Sequence, residues 1–287
     1  MSAICVAERP KVRQSICRED ILGHETAWEV SQLGAVQFRH DYDLELLKTI
    51  KNKAMSQRDD LAERKHLDLT FITGADRFIP EINEIIYDRK RLDYLSELAG
   101  TKLEPYPLSI VGSTVTFMGP RTGDGTVDWH CDGVPVTELI PLEISSPILG
   151  GELEIYLGNC EVGKAKTNRH ESISEREILR IPHRVGSSTL GHFLGVLHRT
   201  APIQFGHRIT LVLNLRSVER PFVDDNRLFY LAADTDQQRE WVSEMAQDVW
   251  EKQLPAYRRF EAARTGQPTM EATADDQVDV AQKPLTV

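Results

Sequence analysis

Dense basic runs, cysteine pairs and long apolar stretches are all missing from this 287-residue chain. Each absence removes a class of function. With no cluster of Lys and Arg and a formal charge of −10, the chain gains nothing from long-range attraction to a phosphate backbone, so nucleic acid is not an expected substrate. The four cysteines, Cys5, Cys17, Cys131 and Cys160, show no CxxC spacing, which argues against a disulfide framework and a thiolate zinc site. No apolar run approaches the roughly 20 residues of a membrane span. The first ten residues carry no apolar core behind a basic region. The expectation is a cytoplasmic protein in a reducing compartment, with no membrane contact.

What the chain does contain is enough length for one large core, since a β-barrel or sandwich with added helices commonly takes this many residues. Residues 1–20 have no strong period and are expected to form an N-terminal arm. Residues 21–264 are expected to form a single domain, with a helical front (21–107), a β core (108–222) and C-terminal helices (223–264). The polar tail, 265–287, has the composition of a disordered segment.

Local signals divide this domain further. Residues 34–39 read as a strand, and Asp43 is a plausible cap for a helix carrying Leu44, Leu47, Ile50 and Ala54 at helical spacing. The charged stretch 56–66 reads as solvated. A helix start is placed at Ile79-Pro80, and residues 88–99 read as a helix that Gly100 stops. Residues 109–118 alternate and are rich in β-branched side chains, the pattern of a strand. Gly150-Gly151 reads as a turn feeding a half-buried strand to Tyr156. The polar insertion 161–180 has room for a short helix, and is either a lid or a decorated loop. Trp241, Met245 and Val249 form a stripe expected to pack on the core, on a helix from about Asp234.

The chemistry concentrates in two segments, Trp129-His130-Cys131-Asp132-Gly133 and His198-Arg199-Thr200-Ala201-Pro202, with Arg208 ten residues after the second histidine. Two histidines and one carboxylate can hold an iron on one face and leave other positions open. His130 and Asp132 are two apart, so on an extended chain they share a face, and Cys131 points the other way. That cysteine reads as structural, or as a thiol sensitive to oxidation. Residues 186–198 and 208–215 read as two antiparallel strands joined by a short loop. His198 lies on one and Arg208 on the next.

Several neighbours compete for these roles. His192 competes with His198 as the distal ligand, but the step to Arg208 favours His198 and leaves His192 a buried hydrogen-bonding role. His207 should face away from Arg208. Arg216 shares the face of Arg208 by parity but falls at the strand end. Trp129 is expected to pack beside the site.

The order of HxD, Thr137 five residues on, Gly150-Gly151-Glu152-Leu153, Leu197-His198-Arg199 and Gly206-His207-Arg208 before an apolar strand resembles the Fe(II)/2-oxoglutarate-dependent dioxygenase superfamily. Its prolyl-hydroxylase-like and phytanoyl-hydroxylase-like branches look closest. The resemblance spans residues 108–216. It implies a mainly β fold with flanking helices around a double-stranded β-helix (jelly roll, cupin-like) core.

Residue by residue, the resemblance assigns His130, Asp132 and His198 to Fe(II), and Arg208 to the distal carboxylate of 2-oxoglutarate. Thr210, on the same face, would add a hydroxyl hydrogen bond to that carboxylate. It implies 2-oxoglutarate and O2 as co-substrates, with hydroxylation, desaturation or ring formation at a C–H bond. Asp132, where related halogenases carry a small residue, disfavours halide transfer. The expected substrate is a small molecule such as an amino acid or a secondary-metabolite intermediate, because the acidic chain carries no recognisable peptide-binding appendage. A peptide or protein hydroxylase, a non-catalytic jelly-roll binding protein and a cupin-type metalloenzyme remain as alternatives, and Arg208 disfavours the last. No motif bears on the oligomeric state.

Overall fold

The computed structural model describes residues 11–24, 30–65, 69–121, 124–226 and 240–266. Among the described residues, twelve strands form two antiparallel sheets. The strands are β1 (Val12–Cys17), β2 (Leu33–Arg39), β3 (Glu63–Lys65), β4 (Leu69–Thr73), β5 (Leu103–Pro105), β6 (Ser113–Met118), β7 (Val136–Ile144), β8 (Leu153–Tyr156), β9 (Ile178–Ile181), β10 (Ser187–Gly191), β11 (His198–Thr200) and β12 (Arg208–Ser217). The large sheet runs β1-β2-β10-β7-β12-β6-β4-β3, with β5 paired to the end of β12. The small sheet is β11-β8-β9.

Strand β12 shows why the sheets enclose a site. Ile209, Leu211 and Leu213 point to one face, where they join a cluster with Ile50, Ile72 and Ile82. Ile50 and Ile82 come from helices α2 (Leu44–Leu61) and α4 (Ile82–Ile86). Arg208, Thr210, Val212 and Asn214 alternate with them and line a cavity on the opposite face. Across that interior, Leu153 and Ile155 of β8 pack with Ala35 and Phe193. Both faces of β12 are therefore covered, which explains an apolar run interrupted only where the cavity needs polar groups.

The expected helix signals at Asp43, Asp88 and Gly100 are present. Asp43 accepts from the amides of Glu45 and Leu46 at the start of α2. Asp88 caps the helix Arg89–Ala99, and Gly100 ends it in the left-handed region. Counting Ala75–Phe78 as α3, this helix is α5.

Other expectations are corrected. Part of the expected arm is strand β1, paired antiparallel with β2 at the sheet edge. Its period was weak because an edge strand buries little on either side. Arg18, the first residue of helix α1 (Arg18–Leu22), is buried and donates to the carbonyls of His192 (2.8 Å) and Leu194 (2.6 Å). Residues 109–112 form a helical turn, α6 (Ser109–Gly112), before β6. There the amides of Val111 and Gly112 bond Leu108 O, and Ile110 packs with Trp241, overriding β propensity. Residues 56–61 continue α2, and Arg58 lies over the Phe117 ring at 5.1 Å. Helix α4 begins two residues after Pro80.

The expected strand pair 186–198 and 208–215 is not a hairpin. The chain leaves β10 in the large sheet, turns through residues 192–197 and enters β11 in the small one, where it pairs with β8. β12 returns to the large sheet between β6 and β7. A turn at Gly195, with φ of 70°, lies in this crossing.

The insertion contains helix α7 (Cys160–Asn168), and none of residues 161–180 lines the cavity. Helix α7 packs against the small sheet, where a Cβ at Gly163 would strike Leu197 and Tyr156, and residues 178–180 of the insertion belong to strand β9 of that sheet. Trp241 is buried on the C-terminal helix α8 (Glu240–Asp248), but Val249, where that helix passes into a π-helical turn (Val249–Gln253), is 38 % exposed. The proposed start of that helix near Asp234 and residues 267–287 of the expected tail lie outside the described residues. Thr265, expected in the tail, closes helix α9 (Leu254–Thr265), with its hydroxyl donating to Glu261 O. Among the described residues no helix is long and apolar enough to cross a membrane.

Candidate metal centre

The backbones of His130 and His198 are paired directly. Each amide donates to the other's carbonyl at 2.9 Å, an antiparallel bridge that fixes the imidazole centroids 4.3 Å apart. Asp132, two residues from His130, forms a second bridge to Leu194. Its Oδ1 lies 3.5 Å from Nε2 of both histidines. The donor atoms of the three side chains fall within 4.8 Å of one another, a spacing that can hold a metal ion.

The remaining atoms of the triad are engaged in ways that leave the converging atoms available. Nδ1 of His130 lies 2.7 Å from Asp128 O, and Nδ1 of His198 lies 3.0 Å from Val196 O. With each Nδ1–H donated to a carbonyl, the Nε2 lone pairs face the shared point. Thr137 donates its hydroxyl to Asp132 Oδ2 at 2.9 Å, leaving Oδ1 free, and the same hydroxyl stands 3.0 Å from Asn214 Oδ1. Phe193 stacks on the His198 ring at 4.5 Å and 28°.

Electrostatics tie the three together. Burial alone would raise the Asp132 carboxyl, but the charges and hydrogen bonds of His198 and His130 hold it well below the usual carboxylate range. For His130 burial acts to lower the pKa, and the hydrogen bond and charge of Asp132 outweigh it, leaving a net rise.

Arg208 is 3 % exposed, and among the described residues no carboxylate hydrogen-bonds it. Its guanidinium donates to Gly151 O, to Met118 Sδ at 3.0 Å and to Thr200 Oγ1 at 3.3 Å. Burial draws its pKa down to about 10, against the opposing charge of Glu152. Arg208 Nε and Thr210 Oγ1 are buried with no hydrogen-bond partner. Both residues line the cavity of about 280 Å³ that also holds His130, Asp132 and His198. A buried cation whose Nε has no acceptor, beside a buried hydroxyl without a partner, fits an anion with several acceptor oxygens.

The competing residues are placed elsewhere. His192, 1 % exposed, has Nδ1 3.2 Å from Ser31 O, and burial with nearby Arg18 pushes its pKa down to about 3, so it is a neutral core histidine. His207 faces away and meets Glu143 at 2.7 Å. Arg216 is committed to Asp248 (2.6 and 2.7 Å) and Glu104 (2.9 Å). Trp129 packs against the Arg199 guanidinium at 4.6 Å rather than lining the cavity.

Sequence reasoning missed Thr200 and Asn214 as contributors, and gave Thr137 no task. Parity was the available signal, since Thr200 shares a face with His198 and Asn214 with Arg208.

No family model matches the chain, and no curated protein matches it. Solved structures do. The likeness is to non-haem 2-oxoglutarate oxygenases. The α-ketoglutarate-dependent epimerase SnoN from nogalamycin biosynthesis shares 14 % identity over 65 % of this chain and 78 % of its own, with a TM-score of 0.48. An oxidoreductase of the 2OG-Fe(II) oxygenase family from Burkholderia pseudomallei shares 13 % over 63 % of this chain and 84 % of its own, at 0.44. HygX from Streptomyces hygroscopicus, with nickel and 2-oxoglutarate bound, shares 11 % over 64 % of this chain and 83 % of its own, at 0.49.

Proposed function

We propose that this chain is an Fe(II)/2-oxoglutarate-dependent oxygenase, built on a double-stranded β-helix and acting on a small molecule. One observation carries the reading: a buried Arg208, with no carboxylate hydrogen-bonded to it among the described residues, shares a single cavity with the His130, Asp132 and His198 cluster. A metal triad alone fits many enzymes, and an arginine alone fits a structural ion pair. Together they supply a metal face and an anchor for an anion. The jelly-roll assignment is supported by two antiparallel sheets that face each other across this cavity, with ligands delivered from the β11 side and the arginine from β12.

Fe(II), with 2-oxoglutarate and O2, would supply an oxidant for a C–H bond, with succinate and CO2 as co-products. The chain's own residues do the rest. His130, Asp132 and His198 would hold the metal, and Thr137 keeps the Asp132 carboxylate turned so that Oδ1 remains available. The Arg208 fork and the Thr210 hydroxyl bind the far carboxylate of the co-substrate and fix its direction. Val111, Val127 and Val134, with Asn226, line further wall of the cavity, an apolar surface with one amide for a substrate to bond. A space of about 280 Å³ suits a compact substrate better than an extended peptide.

Anaerobic addition of Fe(II) and then 2-oxoglutarate tests the assignment. The wild-type protein is expected to develop the weak visible charge-transfer band of the chelate, and His130→Ala and Arg208→Ala are each expected to lose it. Absence of the band in wild type, or its persistence in both variants, refutes the reading.

A further inference from the structure

Cys131 lies between two metal ligands in sequence, yet its sulfur points to the opposite side. There it stands 2.8 Å from the sulfur of Cys160, the first residue of α7, 29 residues along the chain. Both are free thiols. They share one cluster with Tyr156, Leu197, Trp129 and Ile173, which holds the two sulfurs against each other rather than leaving them on mobile loops. The separation is larger than a bonded S–S distance of about 2.05 Å and well inside the contact distance of two unbonded sulfurs.

We propose that Cys131 and Cys160 are a redox-modification site, closing reversibly to an intramolecular disulfide that fastens α7 to the segment carrying His130 and Asp132. The pairing is independent of the iron reading, because it rests on the two sulfurs and their packing alone. Cys160 is the better nucleophile of the two. It opens a nine-residue helix with Lys164 one turn on, and a hydrogen bond from Cys131, with Lys164 adding to it, draws its thiol down to about 7 against the effect of burial.

Hydrogen peroxide is a sufficient oxidant. The Cys160 thiolate attacks one peroxide oxygen, the O–O bond breaks, and protonation of the leaving hydroxide gives water and a sulfenic acid. The Cys131 sulfur then attacks the Cys160 sulfur, the S–O bond breaks, and its thiol proton leaves with hydroxide as a second water. Two thiols lose two electrons and two protons, and one peroxide becomes two waters.

The full chain, reduced and metal-free, is treated with a small excess of hydrogen peroxide, alkylated with iodoacetamide and digested without reductant. The expected product is a cross-linked peptide pair joining Cys131 to Cys160, about 2 Da lighter than the two reduced peptides summed and reversed by dithiothreitol. Exposed Cys17 remains alkylated at the same dose. In Cys160→Ser the cross-link is absent and Cys131 stays alkylatable. Alkylation of both cysteines at a dose that oxidises Cys17 overturns the proposal. So does over-oxidation without a cross-link, or a bridge from either residue to Cys5. Reduced Cys160→Ser is expected to bind Co(II) at the triad as wild type does, which keeps failure of the bridge distinct from failure of the metal reading.

Discussion

A single side chain, Arg208, carries the most testable energetics in the molecule. A buried ion without a counter-ion costs several kcal/mol, so its removal should not destabilise the ligand-free protein. Arg208→Met keeps the packed stem, and its Tm without ligand is expected to equal or exceed wild type. The same variant should lose the rise in Tm that 2-oxoglutarate gives the metal-loaded wild type, with Kd weakened on the order of 100-fold, the equivalent of about 3 kcal/mol for a charge-assisted fork. A Tm several degrees lower without ligand would mean that Gly151, Met118 and Thr200 are what Arg208 serves. His130 sets a pH rule at the same scale. Its pKa is raised when no metal is bound, so metal must displace a proton, and affinity for Co(II) should fall about tenfold per pH unit below that raised value.

Among the elements, helix α5 is joined to strand β7 by a buried ion pair. Nε and Nη2 of Arg91 donate to Glu138 Oε2 at 2.9 and 2.6 Å, and both side chains are sealed from solvent. The Tyr42 hydroxyl donates to the other Glu138 oxygen. Removing one partner strands the other, so Glu138→Ala is expected to cost about 3–5 kcal/mol in urea unfolding. A loss below 1 kcal/mol would show that water reaches Arg91. Both ends of α5 were legible, because Asp88 and Gly100 act on neighbouring amides and carbonyls. Its partner was not. Glu138 sits in an apolar strand and carries no local mark of a guanidinium 47 residues away. The strand ends around the site failed for a related reason. Residues 186–198 alternate well enough for one strand, but whether the chain stays in a sheet or crosses to another depends on pairing with β8, which no local period encodes.

At the scale of the whole molecule, histidines held neutral by burial shape the response to acid, His40 and His192 among them. Burial lowers His40 to about 4 and His192 to about 3, against an ordinary 6.5. Above pH 6.5 neither the folded nor the unfolded chain protonates them, and they have no effect. As pH falls below 6.5 the unfolded chain takes up protons that the folded chain refuses, so stability drops until the folded pKa is reached. Each group contributes a slope of about 1.4 kcal/mol per pH unit in that window. Urea unfolding between pH 7 and 4.5 is expected to show the decline, and His192→Asn to make it shallower by about that amount. An unchanged slope in the variant would place the acid sensitivity elsewhere.

The family resemblance supplied the full ligand set with His198 and the Arg208 anchor; the amino-acid sequence by itself determined the shared face of His130 and Asp132 and the caps of two helices. Those features depend on spacing over a few residues, where backbone geometry alone dictates direction. Tertiary structure decided which histidine joins the triad, since His130 and His198 meet only because their backbones bridge across 68 positions. It also decided that, among the described residues, no carboxylate hydrogen-bonds Arg208 while Arg216 is paired, a difference set by which chain segments close over each one. The same closure brought Cys131 to Cys160, two cysteines whose sequence spacing carried no sign of a pair.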